Sequence, residues 1–126
     1  MDMKNIKIMV IDDESIVGKR LKPALEKTGA QVETFEDPES ALAHFYENPT
    51  DIVVTDIRMD KIDGIEILDR VLAKSGQTKV IIITGYATVE IAREALSKGA
   101  FDFIAKPFKP SDLRVIIERA AQDLTP

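Results

Sequence analysis

The sequence predicts an α/β domain in which a parallel sheet carries helices on both faces. Five short apolar runs alternate with segments of helical periodicity. Three of these runs contain isoleucine and valine without alternating polar residues, as expected for strands buried on both faces. Glycine or proline stands near many of the boundaries between segments. Strands that alternate with helices favour a parallel sheet with right-handed crossovers.

The predicted strands number five, and the second is the weakest because its apolar character is broken by polar residues. They cover residues 6–11, 31–35, 52–54, 80–83 and 101–105. Five strands in such an alternation are typical of the doubly wound, flavodoxin-like sheet with strand order 2-1-3-4-5. In that order the ligand crevice lies at the carboxyl ends of the first and third strands.

The intervening segments carry apolar residues at helical spacing. The predicted apolar stripes are Val17, Leu21, Ala24 and Leu25; Ala41, Leu42 and Phe45; Ile65, Leu68, Val71 and Leu72; Val89, Ala92, Ala95 and Leu96; and Leu113, Ile116, Ile117, Ala120 and Leu124. Ile91 and Val115 fall outside the last two stripes. We therefore expect both to be exposed, either as isolated apolar surface residues of the ordinary kind or on a face that binds a partner or a second copy of the chain.

Local signals predict where several helices begin and end. Asp37 followed by Pro38 indicates an N-cap and a first helical residue, and Pro110 opens the last helix. Pro23 lies inside the first helical pattern, where we expect a kink or a late start but no loss of the helix. Glycines follow three predicted helix ends, where a left-handed residue is favoured: Gly29, Gly76 and Gly99.

Composition limits the function. The 126 residues suffice for one domain, 1–126, and contain no cysteine and a single histidine, His44. Disulfides, thiolate sites and multi-histidine metal sites are thereby excluded. A net charge of −5 argues against direct nucleic-acid binding. No apolar run reaches the ~20 residues of a membrane span and the amino terminus lacks the pattern of a signal peptide, so we expect a cytoplasmic protein without a membrane contact.

Polar residues stand at the ends of four predicted strands, so the switch-point rule places them in one pocket. They are Asp12, Asp13 and Glu14 after the first strand, Asp56 at the third, Thr84 at the fourth and Lys106 at the fifth. Clustered carboxylates need a cation, and hard oxygen ligands select magnesium or a similar ion. A hydroxyl and an ammonium suit a phosphoryl group, and a carboxylate can attack phosphorus to give an acyl phosphate.

Five of these six residues also have an ordinary structural explanation when each is taken singly. Asp12 and Asp13 could cap a helix, Asp56 could be a turn residue, Thr84 could be an N-cap, and Lys106 a surface lysine. All five positions nevertheless fall together at strand ends of one predicted fold, which is much less expected by chance than any one of them alone.

The motifs resemble those of the receiver family of two-component response regulators over essentially the whole chain. The matching segments are VIDDE at 10–14, VTDIRM at 54–59, DG at 63–64, ITGY at 83–86, GAFDF at 99–103 and KPF at 106–108. The segments TGYAT at 84–88 and GAFDF at 99–103 are similar to the corresponding segments of receivers that precede ATPase-type transcriptional activators.

The resemblance implies a magnesium or manganese site around the phosphorylated residue. By position, Asp56 resembles the phosphoacceptor, and Asp13 and Asp56 resemble the side-chain metal ligands. Asp12 resembles the residue that holds a metal-bound water, and the backbone carbonyl of Arg58 resembles a further ligand. The family commonly has proline where this chain has Asp60, which adds a carboxylate close to the metal.

The resemblance also implies a switch. Thr84 and Lys106 resemble the pair that contacts the phosphoryl oxygens, and Phe103 resembles the aromatic residue that turns inward when Thr84 moves. Phe103 has no hydroxyl to anchor either state. The Lys106–Pro107 bond resembles a cis peptide of the family.

The implied function is a phosphorylation-dependent switch, with no enzymatic activity beyond its own phosphorylation and dephosphorylation. The phosphoryl group would come from the phosphohistidine of a sensor histidine kinase or a phosphotransfer protein. The face of the fourth helix, fifth strand and fifth helix would then change, controlling an output domain, a partner or a homodimer.

Three other classes of protein share part of this pattern. A degenerate receiver would act as a phosphorylation-independent binding module, although every chemical group is present. A haloacid-dehalogenase-type phosphohydrolase would need its nucleophile on the first strand and an aspartate two residues later, where Glu14 stands instead. A flavin-binding flavodoxin would need a phosphate loop rather than carboxylates after the first strand.

Overall fold

In the computed structural model, residues 2–57, 62–85 and 89–124 are described, and within them strands and helices alternate from end to end. The elements are β1 (Lys7–Ile11), α1 (Ser15–Glu26), β2 (Gln31–Phe35), α2 (Pro38–Glu47), β3 (Ile52–Asp56), α3 (Gly64–Lys74), β4 (Lys79–Thr84), α4 (Val89–Ser97), β5 (Asp102–Ala105) and α5 (Pro110–Leu124). The predicted alternation is confirmed.

The strands form one parallel sheet with the order β2-β1-β3-β4-β5. This is the predicted doubly wound order, so β1 and β3 are neighbours although α1, β2 and α2 lie between them in sequence. All five residues of β3 are buried, as are four of five in β1 and five of six in β4. Continuous burial on both faces explains why these strands lack the alternating polar pattern of a half-exposed strand.

Alternate residues of each strand point to opposite faces and divide the core into two clusters. On one face Val10, Val54 and Ile83 pack with α1 and α5 through residues such as Leu25 and Ile117. The opposite face packs against α2, α3 and α4, through side chains that include Met9, Val53, Ile82, Phe45, Leu68 and Ala95. The sheet is therefore covered on both sides, and functional groups are left to its edges.

Several predicted boundary signals are confirmed. The Asp37 carboxylate accepts from the Ser40 N–H with Pro38 at the first helical position, and α5 begins at Pro110. The helix α1 continues through Pro23 to Glu26. Gly29 and Gly99 have positive φ angles of 95° and 106°. The prediction was wrong for Gly76: α3 ends in an extended Ser75, and the backbone turns without a left-handed residue there.

The predicted apolar stripe of α4 was also wrong. Val89 and Leu96 are exposed, at 63% and 47%, and only Ala95 is fully buried. Ile91, predicted to be exposed, is half-buried and packs against the core. The sheet covers a narrow side of this short helix, and helical spacing alone does not define which side that is. Val115 on α5 is exposed as predicted, at 57%.

Candidate functional site

The carboxyl ends of the parallel strands bring the predicted residues to one edge of the sheet. Asp12 and Asp13 follow β1 directly, whereas Asp56 and Thr84 are the last residues of β3 and β4. Lys106 follows β5, and its N–H donates to the Thr84 carbonyl over 2.9 Å. Because all strands run in the same direction, residues separated by up to 94 positions meet here.

Three carboxylates form what we call the acidic centre: Asp12, Asp13 and Asp56. One oxygen from each lies within 4.8 Å of the others. Asp12 and Asp56 are buried, at 2% and 5% exposure, whereas Asp13 is exposed. Ionised carboxylates this close repel one another, and in buried surroundings the repulsion is weakly screened. The arrangement therefore requires positive charge.

Lys106 supplies one positive charge. Its Nζ donates to Asp56 over 2.8 Å, to Asp12 over 2.9 Å and to Glu14 over 3.0 Å. Burial alone would lower the pKa of this ammonium, but its hydrogen bonds to the three carboxylates outweigh that effect and raise the pKa above its ordinary value. Lys106 consequently remains charged over the whole physiological pH range.

The environment of Asp12 shows the cost of the acidic centre. Burial raises the pKa of Asp12 above its ordinary value, and the negative charge of Asp56 adds to the increase. The hydrogen bonds from Lys106 and from the Glu14 N–H, which donates to Asp12 Oδ1 over 2.9 Å, only partly offset it. The ionised form of Asp12 is therefore less favourable here than in water, and positive charge at this edge would stabilise it.

Thr84 and Phe103 occupy the same face of the sheet. Ile82 pairs with Phe103 and Thr84 with Ala105, so Phe103 lies one strand away and two residues back from Thr84. Thr84 is fully buried, and Phe103 is half-buried against the cluster under α2, α3 and α4. The Lys106–Pro107 peptide is cis, as predicted.

Two contacts at this edge had no role in the sequence-based prediction. Glu14 reaches Lys106, and Gly64 lies against the backbone of Asp56 and Ile57. Glu14 belongs to the predicted strand-end group and Gly64 to a motif named above, but neither pattern indicates these contacts.

Two positions that matter to the predicted site lie outside the described residues. They are Arg58, the predicted backbone ligand, and Asp60, where the family commonly has proline.

Comparison with known proteins identifies the family. Residues 8–118 match the response regulator receiver domain. The chain belongs to this family. The receiver domain is 39% identical over 116 residues to the regulatory protein AtoC of Escherichia coli K12. That match covers 92% of this chain but 25% of AtoC, so the chain spans about a quarter of this relative.

Solved structures show the same fold. A response regulator receiver domain protein from Clostridium thermocellum superimposes with a TM-score of 0.86 at 36% identity, covering 93% of this receiver domain and 94% of that chain. The beryllofluoride-activated receiver domain dimer of NtrC4 gives a TM-score of 0.89 at 29% identity, covering 94% and 98%. Across the described residues of the receiver domain, every helix is too short or too polar to cross a lipid bilayer.

Proposed function

We propose that this receiver domain is a phosphorylation-dependent switch that accepts a phosphoryl group on Asp56. The observation that carries the proposal is the contact of one ammonium, that of Lys106, with both Asp56 and Asp12 at the carboxyl edge of the sheet. The donor would be the phosphohistidine of a sensor histidine kinase or of a phosphotransfer protein. The domain catalyses only its own phosphorylation and dephosphorylation.

The acidic centre fits magnesium or manganese. Its ligand atoms are hard carboxylate oxygens, and no histidine or cysteine competes, since the chain lacks cysteine and its single histidine, His44, lies on α2. Asp13 and Asp56 would bind the ion directly and Asp12 through a water molecule, with the Arg58 carbonyl as a further ligand. When bound, the ion would neutralise charge on the phosphoryl oxygens and would offset the repulsion between the nearby carboxylates.

The transfer step uses this chain's own residues. A carboxylate oxygen of Asp56 attacks phosphorus, the bond from phosphorus to the donor breaks, and an acyl phosphate forms on Asp56. Lys106 exchanges its hydrogen bond to Asp56 for one to a phosphoryl oxygen, which stabilises the charge of the transferred group. Thr84, at the end of the neighbouring strand, donates its hydroxyl to another phosphoryl oxygen.

The same contacts explain how phosphorylation would be reported. Movement of Thr84 toward the phosphoryl group vacates space on the sheet face that Phe103 shares. Phe103 then turns inward and α4 repacks on β5, so that one charge event biases two packed states. The surface expected to change is the α4–β5–α5 face, which would contact an output domain, a partner or a second copy of the chain. The NtrC4 receiver dimer supports the last of these.

The experiment that tests the proposal is intact-mass measurement after incubation with magnesium and acetyl phosphate. The wild type should gain the mass of one phosphoryl group, and chelation of the metal should abolish the gain. Asp56→Asn should gain nothing, and Asp51→Asn serves as the matched control because Asp51 lies at the opposite end of β3.

Two outcomes would contradict the proposal. A mass gain that persists in Asp56→Asn would show that another residue is the nucleophile, with Asp12 and Asp13 the next candidates. No gain in the wild type, either with acetyl phosphate or with a panel of phosphorylated histidine phosphotransfer domains, would favour a phosphorylation-independent binding module.

A further inference from the structure

Glu14 contacts the ammonium that neutralises the acidic centre, although it is not one of the three carboxylates of that centre. Glu14 Oε1 accepts from Lys106 Nζ over 3.0 Å. The Glu14 side chain is 62% exposed, whereas those of Asp12 and Asp56 are 1% and 7% exposed. Lys106 therefore divides its hydrogen bonds between two buried carboxylates and one that faces solvent.

The position of Glu14 is fixed by its backbone, which leaves its side chain available to Lys106. Its N–H donates to Asp12 Oδ1 over 2.9 Å. Glu14 is the N-cap residue of α1, but its side chain makes no capping hydrogen bond. Glu14 and Lys106 both line a cavity of about 400 Å³ between α1 and the segment after β5. The ammonium thus has room on this side when it leaves the acidic centre.

We infer that Glu14 is a positioning residue that retains the Lys106 ammonium when a divalent cation occupies the acidic centre, and so raises the affinity of that centre for the cation. The inference rests on the metal site of the proposed function. A cation at Asp12 and Asp56 repels the ammonium from these carboxylates. Glu14 then becomes the acceptor within reach, so its loss harms the metal-bound form more than the metal-free form.

The test is a double-mutant cycle in magnesium affinity, measured by titration calorimetry on the full chain. The four proteins are the wild type, Glu14→Gln, Lys106→Met and the double variant. Glu14→Gln should bind magnesium about two- to fivefold more weakly, the size of one exposed ionic contact. Lys106→Met should bind more tightly than the wild type, because the competing ammonium is gone. In that background Glu14→Gln should have a clearly smaller effect.

The matched control for charge is Glu36→Gln. Glu36 is exposed just after β2 and lines a cavity with Asp12 on another face of α1. Its substitution removes the same charge near the same edge and should change the affinity less than Glu14→Gln does. Thermal unfolding followed by circular dichroism should show that all variants retain the fold.

Three outcomes would overturn the inference, and they are distinguishable. An unchanged affinity in Glu14→Gln would remove any role for this residue. An equal loss in the wild-type and Lys106→Met backgrounds would show a simple charge effect that does not act through Lys106. Absence of magnesium binding by the wild type would instead refute the metal site of the proposed function.

Discussion

Gly64 packs directly against the backbone of Asp56. The N–H of Gly64 donates to the Ile57 carbonyl over 2.9 Å. A Cβ atom at position 64 would overlap the Asp56 carbonyl oxygen and lie 2.7 Å from the Ile57 Cα. The first residue of α3 therefore packs tightly against the end of β3. This contact helps to position Asp56, the candidate phosphoacceptor.

Gly64→Ala should consequently destabilise the protein and displace Asp56. The added methyl group meets backbone rather than a flexible side chain, so the free energy of unfolding should fall by about 1–3 kcal/mol. Urea denaturation followed by circular dichroism measures this, and phosphorylation by acetyl phosphate should slow in parallel. Gly76→Ala is the control, because its Cβ would meet only the Leu72 carbonyl oxygen at 3.9 Å. Equal stability of the two variants would contradict the packing argument.

Asp13→Asn should stabilise the metal-free protein while abolishing its response to magnesium. Removing one charge from the acidic centre relieves repulsion worth about 1 kcal/mol for unit charges some 4 Å apart in water. It also removes a proposed metal ligand. Thermal unfolding with chelator and with excess magnesium should show a higher melting temperature without metal and no rise with it. Glu36→Gln should retain the wild-type response, and a normal response in Asp13→Asn would exclude Asp13 as a ligand.

Phe103→Ala should separate phosphorylation from its structural consequence. The Phe103 side chain has no polar group that could take part in phosphoryl transfer, so the mass gain with acetyl phosphate should persist. The phosphorylation-dependent changes in α4 amide chemical shifts should shrink, because the ring that follows Thr84 is gone. Phe101→Ala is the matched control, since Phe101 packs against the cluster on the opposite face of the sheet. Equal shift changes in the two variants would remove Phe103 from the switch.

Leu96→Glu should weaken any homodimer that forms on the α4–β5–α5 face. Leu96 is 47% exposed on α4. A carboxylate there should therefore leave the fold intact while disrupting an apolar contact between two copies. Sedimentation of the phosphorylated protein should show a dimer dissociation constant at least about tenfold higher than that of the wild type. This corresponds to about 1.4 kcal/mol of dimerisation free energy. Ile16→Glu, at a comparably exposed residue of α1, is the control. Loss of the dimer in Ile16→Glu alone would place the interface on α1.

Local sequence was sufficient where a signal depends on neighbouring residues. The capping of α2 by Asp37 and the first turn at Pro38 depend on contacts within one turn of helix, and both are confirmed. The burial of β3 over residues 52–54 follows from its uninterrupted apolar run, because such a run is typical of a strand covered on both faces. The burial of Thr55 and Asp56, the polar residues that end the strand, does not follow from that pattern. Gly76 shows the limit, since glycine permits a left-handed conformation without requiring it.

By itself, the sequence determined the order of strands and helices, the strand order of the sheet and the set of polar residues at its carboxyl edge. Tertiary structure alone decided which sides of α4 are covered, that Lys106 touches Glu14 as well as Asp12 and Asp56, and that Gly64 presses on Asp56. The physical reason is the range of the interactions. Periodicity and capping act over a few residues, whereas these contacts depend on how strands and helices far apart in the chain are placed side by side.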